Sequence, residues 1–188
     1  EDLFSQSSID DITRLTQTLE SIDKIESVTS ISTVPLLEQT RRIDENGVSH
    51  FKLLSDPEVD IELVKKEFTT SALYSSNLVS NNAQATALIA NVQMNVRLDK
   101  LLQDKYVLLE QLSLNPEDEL VIASMADLNA EIQIERKITG DDYSSALNQI
   151  RQLLDTQSAL GVFYLAGAPL IANDIKEFIK SDISVFGF

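Results

Sequence analysis

Ile9, Ile12, Leu15, Leu19 and Ile22 recur at spacings of three and four, the stripe of an amphipathic helix that ends near Asp23. Ser8 with Asp11 three residues on reads as a capping box in which Asp stands for the usual Glu. Lys24–Val34 is rich in Val, Ile, Thr and Ser and reads as a strand. Its apolar residues come at every third position, so composition rather than period carries that reading, and Pro35 ends it. A polar stretch follows with a turn at Asn46-Gly47, and Val48–Leu54 reads as a short strand. Asp56-Pro57-Glu58 combines a cap, a first-turn proline and an acid at the positive end of the dipole. It predicts a helix with Val59, Leu63, Val64 and Phe68 on its buried face. Asn81-Asn82 predicts a hairpin turn between Asn77–Ser80 and Ala83–Val96. In the second arm Leu88, Ala90, Val92, Met94 and Val96 alternate with Ile89, Asn91, Gln93 and Asn95, as in a half-buried strand.

From Arg97 the period becomes helical. Leu98, Leu101, Leu102, Leu109 and Leu112 share one stripe, Asn115-Pro116-Glu117-Asp118 breaks it, and Ile122, Met125, Leu128 and Ile132 make a second. This predicts an antiparallel helical hairpin. Gly140 and Asp141-Asp142 then read as the opening of a separate helix carrying Tyr143, Ala146, Leu147, Ile150, Leu153 and Leu154. The continuously apolar run Val162–Ala166 reads as a strand covered on both faces. A Gly167-Ala168-Pro169 turn and a helix through Ile171, Ile175, Phe178, Ile179 and Ile183 are expected after it. Helix, strand and helix here form half of a split βαβ arrangement.

At 188 residues the chain is long enough for one domain, or one domain with an insertion, to bury a sizeable core. The net charge of −15 repels phosphate backbones and anionic headgroups, which argues against nucleic-acid binding. Without Cys there is no disulfide or thiolate site. No apolar run reaches the roughly 20 residues a membrane span needs, and both ends of the chain look cut. His50 is the only histidine, and no Cys joins it in a ligand set, so it reads as a loop or strand-edge surface residue. Asp10-Asp11, Asp141-Asp142 and Glu117–Glu119 each fall at an expected helix start, where acid is electrostatically favoured. There is no phosphate loop and no nucleophile elbow. The residues therefore point away from bond chemistry, and no catalytic residue, metal or cofactor is expected.

Three blocks resemble the first extracytoplasmic loop of resistance–nodulation–division (RND) superfamily exporters. After Leu3-Phe4-Ser5 and the first helix, Ile25-Glu26-Ser27-Val28-Thr29-Ser30-Ile31-Ser32-Thr33-Val34-Pro35 is similar to the family's "gV-x-x-V-x-Sl-x-x-vp". Leu73–Ser80, Asn81-Asn82 and Ala85–Ile89 resemble its "p-x-y-x-g-x-lvs-x-dg-x-at-x-i" hairpin, with Asn81-Asn82 in place of Asp-Gly and Ser76 in place of Gly. Phe163–Pro169, then Ile175 and Ser181-Asp182-Ile183, resemble the approach to the second transmembrane helix. The resemblance covers most of the chain outside 97–138.

It implies an α+β, ferredoxin-like βαβ porter-type domain on residues 1–96 and 139–188, with a helical hairpin insertion at 97–138. It implies a proton-driven parent in the cytoplasmic membrane of a bacterium, with this domain on the periplasmic side, moving hydrophobic or amphiphilic molecules such as lipids or drugs. The expected partners are the rest of the transporter with its second homologous loop, and an amphiphilic ligand. Homo-oligomerisation through an exposed sheet edge is a further expectation. Met94, Phe163 and Leu165 are the expected substrate contacts, although apolar residues in such positions more often serve as core. The contrasting expectation is a free-standing acidic α+β interaction module that docks through the hairpin.

Overall fold

A computed structural model describes residues 2–167 and Leu170. Its described residues are mixed helix and sheet, an α+β chain in two compact units, Glu1–Val92 and Gln93–Phe188.

In the first unit α1 (Gln6–Glu20) packs on β1 (Ile25–Thr29). The N-cap is Ser5, whose hydroxyl accepts from the Ser8 N–H, and not Ser8 as the Ser8/Asp11 spacing implied. Ser5 takes this place because its backbone is extended, with a ψ of 150°. β1 pairs antiparallel with β4 (Ile89–Val92), Val28 facing Ala90 and Thr29 facing Ile89. A bulge between Ile25 and Ser27 inserts one extra residue. That bulge explains the odd period of three: Ile25 and Val28 are both buried while Glu26 and Ser27 between them are exposed. The strand stops at Thr29, well short of Val34. Beyond it Ser30 bonds Thr16 and Ser32 through side-chain oxygens at 3.0 and 2.8 Å, a buried polar cluster with its partners in place.

A second antiparallel pair joins β2 (Arg42–Ile43) and β3 (Ser49–His50) across the expected Asn46-Gly47 turn, where Gly47 has a φ of 78°. The next helix, α2 (Ile61–Thr70), begins later than Asp56-Pro57-Glu58 implied. Asp60 caps it, accepting from the Glu62 and Leu63 N–H groups at 3.0 and 3.1 Å. Asp56 instead accepts from the Leu53 N–H at 2.8 Å and closes the preceding turn. The Asn81-Asn82 turn does join two short paired segments: the Ser80 N–H donates to the Ala85 carbonyl and the Ala87 N–H to the Leu78 carbonyl. Phe68 lies at the centre of the core, its ring 4.8 Å from that of Tyr74 and 6.0 Å from that of Phe4. Ile9, Ile31, Leu36, Leu54, Val64, Leu78, Val79 and Ala83 complete it.

The second unit is built on two helices, α3 (Val96–Leu114) and α4 (Glu119–Thr156). They form the expected antiparallel hairpin, with Asn115 ending α3 and Asp118 capping α4. Leu98, Leu101, Lys105, Leu108 and Leu112 of α3 are half-buried at heptad-like spacing along the seam. Gly140 and Asp141-Asp142 do not open a new helix. α4 runs unbroken through them for 38 residues, about 57 Å at the usual rise. One glycine costs a helix only about 1 kcal/mol, which is too little to end one that packing supports. The run Val162–Ala166 is not a strand either. Among the described residues nothing pairs with it, and a lone strand leaves its backbone groups unmatched. Val162 and Tyr164 are 81% and 90% exposed, so it is not buried. The Ala168-Pro169 step and the helix expected through Ile171–Ile183 lie outside the described residues, as does the end of the third resemblance block.

An added Cβ at Gly140 would meet nothing within 4 Å. Gly140→Ala should therefore raise unfolding stability by about 1 kcal/mol, through helix propensity and a stiffer unfolded chain. Urea unfolding followed by circular dichroism measures this; a neutral or destabilising result would mean that the helix breaks at Gly140.

Candidate functional site

The expected contact residues separate. Phe163 and Leu165 are half-buried and help line an open depression of about 480 Å³ at the end of α4. Leu154, Arg151, Asp155 and Ser158 of α4 and the turn after it face them. Met94 is 64% exposed just ahead of α3 and is not among the lining residues. The alternation of exposed Val162 and Tyr164 with half-buried Phe163 and Leu165 decides which members of the apolar run reach the depression.

A second groove, of about 440 Å³, lies along the α3–α4 hairpin. Val107 and Leu108 from α3 and Leu128 from α4 give it an apolar lining, with Ser124 beside them. Asp104, Asp127 and Glu131 complete its lining. Glu131 is 3.5 Å from Arg97; Asp104 and Asp127 have no ion pair among the described residues. Lys105 reaches Asn129 at 2.7 Å. At the base of the hairpin Asn95 accepts from the Leu98 N–H at 2.9 Å, capping α3, and donates to Glu135 at 3.1 Å and Thr139 at 2.9 Å. Glu135, buried, also meets Arg97 at 3.1 Å.

His50 lies at the surface on β3, as expected, with Nε2 3.0 Å from Asp44 Oδ2. Asp44 also accepts from the Asn46 and Val48 N–H groups at 2.9 and 2.8 Å. The His50 hydrogen bond is the chief cause that holds the Asp44 carboxyl below its ordinary value, followed by the Val48 N–H. Among the described residues no group of three or more His, Cys, Asp or Glu is placed to hold a metal ion.

Glu67, not foreseen as a functional residue, is a buried carboxylate of the first unit. It is 1% exposed, and its two oxygens accept from the Leu37 N–H at 2.7 Å and the Glu38 N–H at 3.1 Å. The signal was present in the sequence: Glu67 sits beside Phe68 and three residues after Val64, on the apolar stripe. Tyr74 lies close by and donates to the Pro35 carbonyl at 2.5 Å. Burial, and then the charge of Glu67, push the Tyr74 hydroxyl above its ordinary pKa. These contacts bind one segment of chain to another, so Glu67 and Tyr74 act as structural ties.

Comparison with protein-family models, with curated proteins and with solved structures finds no match to this chain.

Glu67→Gln puts an amide NH2 against one of two backbone donors and should cost roughly 1–3 kcal/mol. Glu67→Ala should cost more, because both N–H groups lose their acceptor. Faster amide exchange confined at first to Leu37 and Glu38 is the expected signature; unchanged exchange there would rule out the tie. At the β2–β3 turn, the lowered Asp44 pKa contributes stability that is complete above the ordinary 3.8 and lost as pH falls through the lowered value. His50→Ala should move the Asp44 midpoint upward in a carboxyl NMR titration, and a midpoint that stays put would refute the pairing.

Proposed function

We propose that this chain is an extracytoplasmic domain of a proton-driven RND-type membrane exporter, contributing to the binding and passage of hydrophobic or amphiphilic molecules. The observation that carries this reading is the backbone at Ser76. The family pattern has Gly there, and Ser76 has a φ of 63°, in the left-handed region that favours Gly. The motif position thus has a conformational meaning that survives the substitution. A second support is the tie between two of the blocks, since Tyr74 of the hairpin block donates to Pro35, the last residue of the first block.

The ferredoxin-like porter arrangement belongs to the same proposal. β1 and β4 with α1 would be one part of it, and Val162–Ala166, unpaired among the described residues, would be completed by a strand of the homologous loop. Phe163 and Leu165 then stand where an amphiphilic ligand could lie against the α4 end, on the periplasmic side of the cytoplasmic membrane. In this role the chain binds and transmits shape change, and the proton-carrying groups belong to membrane helices of the parent.

The absence of Cys from this chain provides the test. Ser113→Cys, introduced on exposed α3 in a parent otherwise free of Cys, should react with a membrane-impermeant maleimide in intact cells whose outer barrier has been opened. The reading frame should also encode apolar spans on both sides of the chain. Labelling only after lysis of the cytoplasmic membrane, or a frame without spans, would overturn the reading.

A further inference from the structure

The hairpin surface poses a question that the exporter reading leaves open. None of the 19 residues of α3 is buried. A helix is held in a protein mainly by tertiary packing of its apolar face, and among the described residues α3 packs chiefly along the half-buried seam with α4. On the outside, Leu114 and Leu120 are 84% and 82% exposed, with Tyr106, Val107, Leu109 and Ile122 also exposed. Among the described residues no layer covers this surface. The groove lined by Val107, Leu108 and Leu128 gives such a layer a seat.

Charge decides what kind of layer fits. From Asp104 to Glu131 acids outnumber bases seven to one. The single base, Lys105, is half-buried at the seam and bonded to Asn129, so it does little to offset these acids. Asp104 and Asp127 line the groove with no cation opposite them among the described residues. A second copy of this chain, itself at −15, would be repelled. A helix is the element that seats between two helices, with its apolar residues entering the groove and its flanks meeting the acids.

We propose that the α3–α4 groove docks a basic amphipathic α-helix of a partner protein, with Lys or Arg flanking its apolar stripe. The docking rests on the hairpin alone and holds whether or not the chain belongs to an exporter.

The full chain and two fluorescent peptides of about 20 residues, long enough to span the groove, test it. One peptide is Leu/Lys in a helical pattern; the other is its Leu/Glu counterpart. The Leu/Lys peptide should bind saturably at one site, become helical on binding and outcompete the Leu/Glu peptide. Asp104→Lys with Asp127→Lys should weaken it roughly tenfold or more. Glu26→Lys with Glu45→Lys makes the same change in net charge on exposed positions of the other unit and should weaken it less than about twofold. Asp104→Asn with Asp127→Asn, milder for the helices, should give the same ranking. Equal losses in both double variants would reduce binding to general attraction and overturn the proposal. So would absence of binding, or tighter binding of a monomeric cationic surfactant that displaces the peptide. A dimer of the chain in sedimentation, dissolved by the Asp104/Asp127 reversal, would give the groove to a second copy and overturn it too.

Discussion

Pro35–Gln39 holds the first unit together, although it contains no regular structure beyond one bridge residue. Each of its residues is bonded to something distant in sequence. Pro35 accepts from Tyr74, and Leu36 donates to the Lys52 carbonyl at 2.8 Å. Leu37 and Glu38 donate to Glu67, and Gln39 exchanges hydrogen bonds with the backbone of Asp60, the cap of α2. A segment that buries Leu36 completely cannot leave its own backbone groups to water. Glu67 solves this from the apolar face of α2, where a carboxylate is tolerated only because both oxygens are used. Closing these contacts over some 30 residues costs chain entropy, which the packing of Phe68 against Phe4 and Tyr74 offsets.

How much of this was legible in the sequence depended on how local the determining physics is. The α3–α4 hairpin followed from leucine spacing and the Asn115–Asp118 break, because a helix and its caps are encoded within a few residues. β1 was legible only by composition. Its period of three makes sense once a bulge at Glu26 is known, and a bulge is fixed by the partner strand rather than by the strand itself. Asp56 and Asp60 are chemically equal caps, but Glu58 between them has a φ of 59°, outside the helical region, and Gln39 holds the Asp60 backbone. Gly140 looked like punctuation, but its cost is small beside the packing that carries α4 across it. The apolar run at 162–166 has strand composition without a strand partner among the described residues, and composition cannot supply one.

The candidate site divides in the same way. Phe163 and Leu165 were singled out from a continuously apolar run read as covered on both faces; the structure alternates the run, so these two line a depression while Val162 and Tyr164 are exposed. Met94 was assigned by a strand alternation that β4 ends at Val92, so its reason for pointing inward disappears. Glu67 was hidden by the habit of reading acids as surface residues. Its position between Val64 and Phe68 marked it, but only the bonds to Leu37 and Glu38 say what it does. His50 needed no special environment to be read as a surface residue.

The second unit joins its two concave features through one helix. α4 is one helix of about 57 Å, so the acidic groove near its start and the depression near its end are features of a single stiff rod. A jointed hairpin, broken at Gly140, would let a partner settle at the tip without disturbing the far end. In α4 no such break lies between the two. Leu154 and Asp155 near the end of α4 line the depression together with Phe163 and Leu165, and Ser124, Asp127, Leu128 and Glu131 of the same helix line the groove. The two concave features thus share one continuous hydrogen-bonded backbone, because the cost of Gly140 is too small to divide the helix between them.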